Sequence, residues 1–231
     1  HLELVKKLKG KTKAIFLEKP ISNYCSKKDL LSFQSQILND DISLRVNYYK
    51  LHEPSFLMLN DFINRKKIKY CSLKYSGPVE AVGSHALSVV LDLIEDIELV
   101  KFINYPSDES YGTSAVFYSK SLNIFTEIIH CNNRHNLIFE LEVIDDKNKA
   151  VLMDNFSRLE LYKYEKSQRY SLDYSEIKKV NEYSFKSNKK RFSASLEEIH
   201  SEISSNKRDY TNLNRSIKVQ NFLNNFLRKS Q

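Results

Sequence analysis

Apolar residues at Leu2, Leu4, Val5 and Leu8 fall at helical spacing, and Gly10 supplies a C-terminal stop, so the chain opens on a helix ending near residue 9. Lys13 to Leu17 is a short apolar run of strand length. Glu18-Lys19-Pro20 follows, where proline blocks further central pairing. Ser26, with Asp29 three positions on and the apolar set Leu30, Leu31, Phe33, Ile37 and Leu38, reads as an N-capped amphipathic helix. Ile42 to Tyr49 then reads as a strand. Pro54 suits a first helical turn, with Phe56, Leu59, Phe62 and Ile63 on one side, and Ile68 to Tyr75 is a further strand. Residues 84 to 94 form a more apolar helix.

From Glu98 the period changes to successive strand-like runs: Leu99–Asn104, Ser114–Ser119, Leu122–His130, Leu137–Ile144, Ala150–Met153 and Arg158–Tyr164. The short polar connections Cys131-Asn132-Asn133 and Asp145-Asp146-Lys147-Asn148 read as hairpin loops, which makes an antiparallel sheet the economical arrangement. Lys166 to Lys190 has no firm period and is read as edge strand plus loop. Helices over Ser195–Ser204 and Arg215–Arg228 close the pattern.

The expected fold is therefore α/β followed by α+β: the remnant of a Rossmann-type parallel sheet, then a domain with a large, mostly antiparallel open sheet and flanking helices. The expected division is 1–48 and 49–231, with a last helix near 215–229 placed to pack back on the first unit. Helix-strand-helix-strand at the start implies more of the same sheet upstream, so the chain is expected to begin inside a domain.

Composition narrows the function classes. With 231 residues, 41% apolar and 28% charged, the chain can bury a sizeable core, and no apolar run approaches the roughly 20 residues that span a bilayer. The first residues lack the layout of a secretory signal. Cys25, Cys71 and Cys131 lie too far apart for a C-x-x-C motif, and a disulfide framework is not expected in a chain this long, so a reducing, cytoplasmic setting is read. The formal charge of +7 comes from 36 basic residues scattered among 29 acidic ones, clustered only in short runs such as Lys189-Lys190-Arg191. That is a solvated surface rather than a nucleic-acid footprint. His130, Cys131 and His135 are close in sequence, yet their spacing matches no standard zinc site, and no metal is expected. H-E-x-x-H, P-loop and G-x-S-x-G patterns are absent.

Ala14-Ile15-Phe16-Leu17-Glu18-Lys19-Pro20 resembles the strand and E-K-P motif that closes the nucleotide-binding part of Gfo/Idh/MocA-type oxidoreductases. The surrounding order of elements is similar too, and Gly83-Ser84-His85-Ala86-Leu87, opening an apolar helix, resembles that family's catalytic-histidine segment. The resemblance spans nearly the whole chain. It implies transfer of hydride between a sugar, sugar acid, inositol or nucleotide-linked sugar and NAD or NADP. Lys19 and His85 would be catalytic, with Glu18, Lys19 and Pro20 at the cofactor. It also implies homo-oligomerisation through the open sheet, with neither nucleic acid nor membrane as partner. Lys19 would hydrogen-bond the reacting hydroxyl, and His85 would take its proton. Lys50 and His52 resemble basic residues that some relatives place near substrate, although Glu53 disturbs the spacing and a solvated loop is the reading from the residues alone.

Two departures stand out. Where the family commonly has an acidic residue or asparagine, four positions before the histidine, this sequence has Ala81, and Glu80 could serve only if the local backbone differs. No G-x-G-x-x-G follows a strand, and Gly10, Gly77, Gly83 and Gly112 cannot form one, so a cradle for the cofactor pyrophosphate is expected from a segment preceding His1. The alternative is a catalytically degenerate sugar-binding or oligomerisation subunit of the same fold.

Overall fold

The computed structural model describes residues 1–8, 10–22, 25–103, 113–131, 136–167, 175–186, 191–205 and 207–228. Helix α1 (Leu2–Lys7) leads to strand β1 (Ala14–Leu17), helix α2 (Lys27–Asn39) and strand β2 (Ser43–Val46). Strands β1 and β2 pair in parallel, Ala14 opposite Ser43 through Leu17 opposite Val46. The Ser26 hydroxyl caps α2 by accepting from the Asp29 backbone N–H at 3.1 Å, which satisfies one orphan donor of the first turn. Leu30, Phe33 and Ile37 are buried beneath this helix. Leu31 and Leu38 are about half exposed, one residue and so roughly 100° round from buried neighbours.

A 3-10 turn (Tyr49–His52) joins β2 to helix α3 (Pro54–Phe62), which has proline in its first turn as expected. Strand β3 (Tyr70–Tyr75), a π-helical turn (Val79–Gly83) and helix α4 (Ser84–Leu93) follow. Next come strands β4 (Ile97–Ile103), β5 (Ser114–Ser119), β6 (Ile124–His130), β7 (Phe139–Ile144), β8 (Asn148–Met153), β9 (Arg158–Lys166) and β10 (Ser175–Ser184). Helices α5 (Arg191–Ser205) and α6 (Thr211–Arg228) end the fold.

The large sheet has eight strands in the order β10-β9-β8-β7-β3-β6-β5-β4. Every pairing is antiparallel except β3 with β6. The expected fold class is therefore the observed one. One expected hairpin is corrected: β6 and β7 are not neighbours, because β3 lies between them and pairs with both, so the chain around Cys131 crosses over a strand. A polar connection between two strand runs carries no record of an earlier strand inserted in the gap. The edge strand expected within 166–190 is β10, which among the described residues pairs only with β9. His135 and most of the Lys189-Lys190-Arg191 run lie outside the described residues.

One sheet face carries the core. Leu73, Phe117, Ile128, Leu141, Leu152 and Leu159 are buried there, under α3 and α4 and, through a T-shaped Phe117–Phe222 contact at 5.2 Å, under α6. The other face is open, with Lys74 exposed and Phe125 63% exposed. Helix α6 also ties the small sheet down. The Asn212 side chain accepts from the Val46 N–H at 2.8 Å and donates to the Val46 carbonyl at 3.3 Å, as a neighbouring strand's amide would, so the β2 edge is satisfied there. Gln220 accepts from the Ser22 N–H, and the Asn224 amide donates to the Cys25 carbonyl at 2.7 Å.

A left-handed turn anchors the segment after β2. Asp154, Asn155 and Phe156 have φ of 51°, 58° and 71°, a run that costs an L-residue chain steric strain. It presents the Asn155 carbonyl and side-chain oxygen to the Lys50 ammonium at 2.8 and 2.6 Å, and the Phe156 carbonyl to the Ser55 hydroxyl at 2.6 Å. These charge-assisted and buried bonds offset that strain.

Candidate active site

The ladder between β1 and β2 continues one step past the strands, where the Asn47 N–H donates to the Leu17 carbonyl at 2.8 Å. Glu18 and Lys19 leave the strand end there, and the Lys19–Pro20 peptide is cis. The Asn47 side-chain amide donates to the Glu18 carboxylate at 2.8 Å. Lys19 is half-buried and extends across to the second part of the chain, where its ammonium donates to the main-chain carbonyl of Ala81. Burial pulls its pKa below the ordinary lysine value, and the Glu18 charge acts in the opposite direction.

Ala81 sits in the π-helical turn. The N–H groups of Val82 and Gly83 both reach the Pro78 carbonyl, at 2.7 and 3.3 Å, and the Ser84 N–H reaches that of Val79. The local backbone thus differs from an ordinary helical start, as single-turn π-bulges at functional sites often do. Gly83 is required for close approach. A Cβ built there would meet Val79 Cγ2 at 2.9 Å and the Tyr75 hydroxyl at 3.2 Å. The Glu80 charge is felt at Tyr75.

His85 is the second residue of α4, four residues after the carbonyl that holds Lys19. It is 4% exposed, and neither ring nitrogen has a hydrogen-bond partner among the described residues. The Tyr49 ring lies 4.5 Å from the imidazole centroid and the Tyr48 ring 6.2 Å, both edge-on. Burial pushes the His85 pKa well below its usual value, and the positive charges of Lys19 and Lys50 push it the same way. A neutral imidazole beside an ammonium can accept a proton from a group that the ammonium polarises.

The other two basic residues face different ways. In a 3-10 turn, positions i and i+2 stand about 120° apart around the axis, and Lys50 and His52 are so related. Lys50 turns beneath the site, 2% exposed, with its ammonium 5.5 Å from the Tyr49 ring and about as far from those of Phe139 and Phe156. His52 turns toward α5, where its Nε2 lies 3.1 Å from the Ser195 hydroxyl and its Nδ1 3.7 Å from Glu198. It lines a cavity of about 550 Å³ together with Arg45, Arg65, Asp92, Glu202 and Arg215. Burial lowers its pKa, opposed by Glu198.

Sequence reasoning passed over Asn47, Tyr48 and Tyr49. Their signal was present: a polar residue and two aromatic ones directly after the end of a parallel strand, where α/β folds place ligand contacts. Tyr75 was read only as the end of a strand; its hydroxyl donates to the Thr113 carbonyl at 3.0 Å, and its ring meets that of His130 at 5.1 Å. His130, Cys131 and their described surroundings form no group of three metal-ligating side chains among the described residues.

Among solved structures, a dehydrogenase (MviM) from Clostridium difficile superposes with a TM-score of 0.77 at 14% identity, covering 99% of this chain and 75% of that one. The fold is that of the Gfo/Idh/MocA-type oxidoreductases. UDP-N-acetylglucosamine 3-dehydrogenase GnnA from Acidithiobacillus ferrooxidans matches the same Gfo/Idh/MocA fold with a TM-score of 0.73 and 11% identity, over 96% of this chain and 72% of that one. KijD10, a 3-ketoreductase from Actinomadura kijaniata in complex with NADP, matches with a TM-score of 0.66 and 12% identity, over 95% and 71%. No protein-family model and no curated protein matches the sequence. No helix among the described residues is long and apolar enough to cross a membrane. At these identities the likeness establishes the Gfo/Idh/MocA fold alone.

Proposed function

We propose that the chain belongs to an NAD(P)-dependent oxidoreductase that moves hydride between nicotinamide and a hydroxyl-bearing carbon of a sugar, sugar acid, inositol or nucleotide-linked sugar. The observation that carries this reading is His85. A buried polar ring with neither nitrogen bonded is costly, by about 1–3 kcal/mol for each unmade bond, and it sits one turn from the anchor of a half-buried ammonium. In this reading Lys19 hydrogen-bonds the substrate oxygen and stabilises it as its proton leaves, and neutral His85 takes that proton. Lys50, fixed beneath the site, adds positive potential that favours the developing oxyanion. His52 plays no direct part.

The residues present fit the nicotinamide end of such a cofactor: Glu18, Lys19 and Pro20 leave the C-terminal end of a parallel strand, the crevice where nucleotides bind in open α/β sheets. They do not fit its diphosphate, since none of the four glycines lies between a strand and a following helix in the required pattern. When bound, the cofactor supplies the hydride acceptor. The open face of the large sheet, with Tyr70, Val100 and Phe125 exposed, is the proposed homo-oligomer surface. Three free cysteines accord with a reducing compartment.

Two observations favour a second reading, a sugar-binding or oligomerisation subunit without chemistry. His85 is almost sealed from solvent, and the side chain at position 81 is a methyl group. The discriminating experiment uses protein made from the complete reading frame. NAD(P)H formation is followed across a panel of sugars, sugar acids, inositols and nucleotide-linked sugars, with deuterium on the reacting carbon of any substrate found. Turnover with a primary isotope effect supports the oxidoreductase. Binding of a panel member without turnover supports the subunit.

A further inference from the structure

We infer that Asn47 is a positioning residue for Lys19: its amide holds the Glu18 carboxylate at the end of β2, which leaves the Lys19 ammonium to the Ala81 carbonyl and to a substrate oxygen. The substrate part of this inference rests on the oxidoreductase reading; the restraint on Glu18 does not.

Asn47 is 1% exposed and fixed twice, through its backbone N–H to the Leu17 carbonyl and through its side-chain amide to Glu18, both at 2.8 Å. A carboxylate only accepts hydrogen bonds, so the NH₂ of Asn47 must face Glu18, and the amide cannot be turned the other way. Its Oδ1 is then buried with no partner among the described residues. A fold needing only the backbone bond would be met at less cost by alanine or glycine, which leave no buried side-chain acceptor unmade. What the asparagine adds is a neutral donor aimed at the carboxylate adjoining Lys19 in the chain. An ion pair between those two side chains would draw the ammonium from Ala81 and strengthen its hold on its proton. With Glu18 held by a neutral amide, burial outweighs the Glu18 charge and Lys19 stays below the ordinary lysine range.

The test is an NMR titration of the full chain labelled with ¹³C at lysine Cε, the Lys19 signal being assigned by its loss in Lys19→Arg. Asn47→Ala is expected to raise the Lys19 midpoint by about one pH unit or more, the usual effect of a newly adjacent opposite charge. In a Glu18→Gln background the same change is expected to leave the midpoint unmoved, a dependence that a merely structural role would not produce. Asn47→Leu, close in size, uncharged and unable to donate, is expected to act like Asn47→Ala and serves if the alanine variant does not fold. An unmoved midpoint in the single variants, or an equal shift with and without Glu18, overturns the inference. No turnover is needed for this titration, so an inactive parent protein would count against the oxidoreductase reading alone.

Discussion

The Lys19 ammonium donates to the main-chain carbonyl of Ala81, 62 positions further along the chain. That bond carries the strand end of the small sheet onto the turn that starts the His85 helix, so the two basic groups share one environment although different elements hold them. Since Ala81 contributes a backbone atom, the geometry depends on the π-helical turn rather than on the side chain at position 81.

Gly83 is the weak point of that turn. Gly83→Ala places a methyl 2.9 Å from Val79 Cγ2 and against the Tyr75 ring, and such overpacking costs about 1–3 kcal/mol. Because the strain lies two residues before His85, the variant should lose turnover while still folding. Urea denaturation paired with kcat checks this, and undiminished activity would show that the turn does not set the site.

The Gly83-Ser84-His85 segment and the Glu18-Lys19-Pro20 strand end were legible because each is a local pattern: a short run punctuated by a residue of special backbone chemistry. The helices and nearly all strands were legible through their periods. The place of β3 between β6 and β7 was not, since strand order depends on pairings made across the sheet. The split between Lys50 and His52 was equally hidden, because an extended segment and a 3-10 turn project residues i and i+2 in different directions, and the tertiary anchor at Asn155 decides which forms. Burial of both Tyr48 and His85 follows from α4 and α6 packing together, which no single segment encodes.

The neutral state of His85 has a consequence for acid stability. The folded chain holds this histidine well below its ordinary pKa of 6.5, so below that pH the unfolded chain binds the additional proton first. The full stability is present above about pH 6.5 and declines as the pH falls beneath it, by about 1.4 kcal/mol per unit until the native pKa is reached. His85→Leu removes this proton linkage and the two unmade bonds together. Melting temperatures between pH 7 and 5 should therefore fall less in the variant than in the parent; parallel curves would contradict a buried neutral imidazole.

Arg45 fastens α5 to β2. Its guanidinium, 4% exposed at the side chain, pairs with Glu202, 10% exposed, and with Glu198 at 3.0 Å, while Glu202 also accepts from the Ser43 hydroxyl at 2.5 Å. Removing one partner of a buried pair strands the other, which costs about 3–5 kcal/mol, so Arg45→Leu should destabilise by that order. Arg45→Leu combined with Glu202→Leu should recover most of the loss in urea unfolding. If the double variant is as unstable as the single, stranded charge is not the cause.

The direct test of the central claim is kcat/KM for NAD(P)-linked oxidation of the best panel substrate, measured in protein from the complete reading frame and in its Lys19→Met and His85→Asn variants. General acid–base groups contribute about 10²- to 10⁴-fold, and each variant is predicted to lose at least the lower figure while its melting temperature stays near that of the parent. Turnover in both variants as fast as in the parent would contradict the assignment of Lys19 and His85 to one active site.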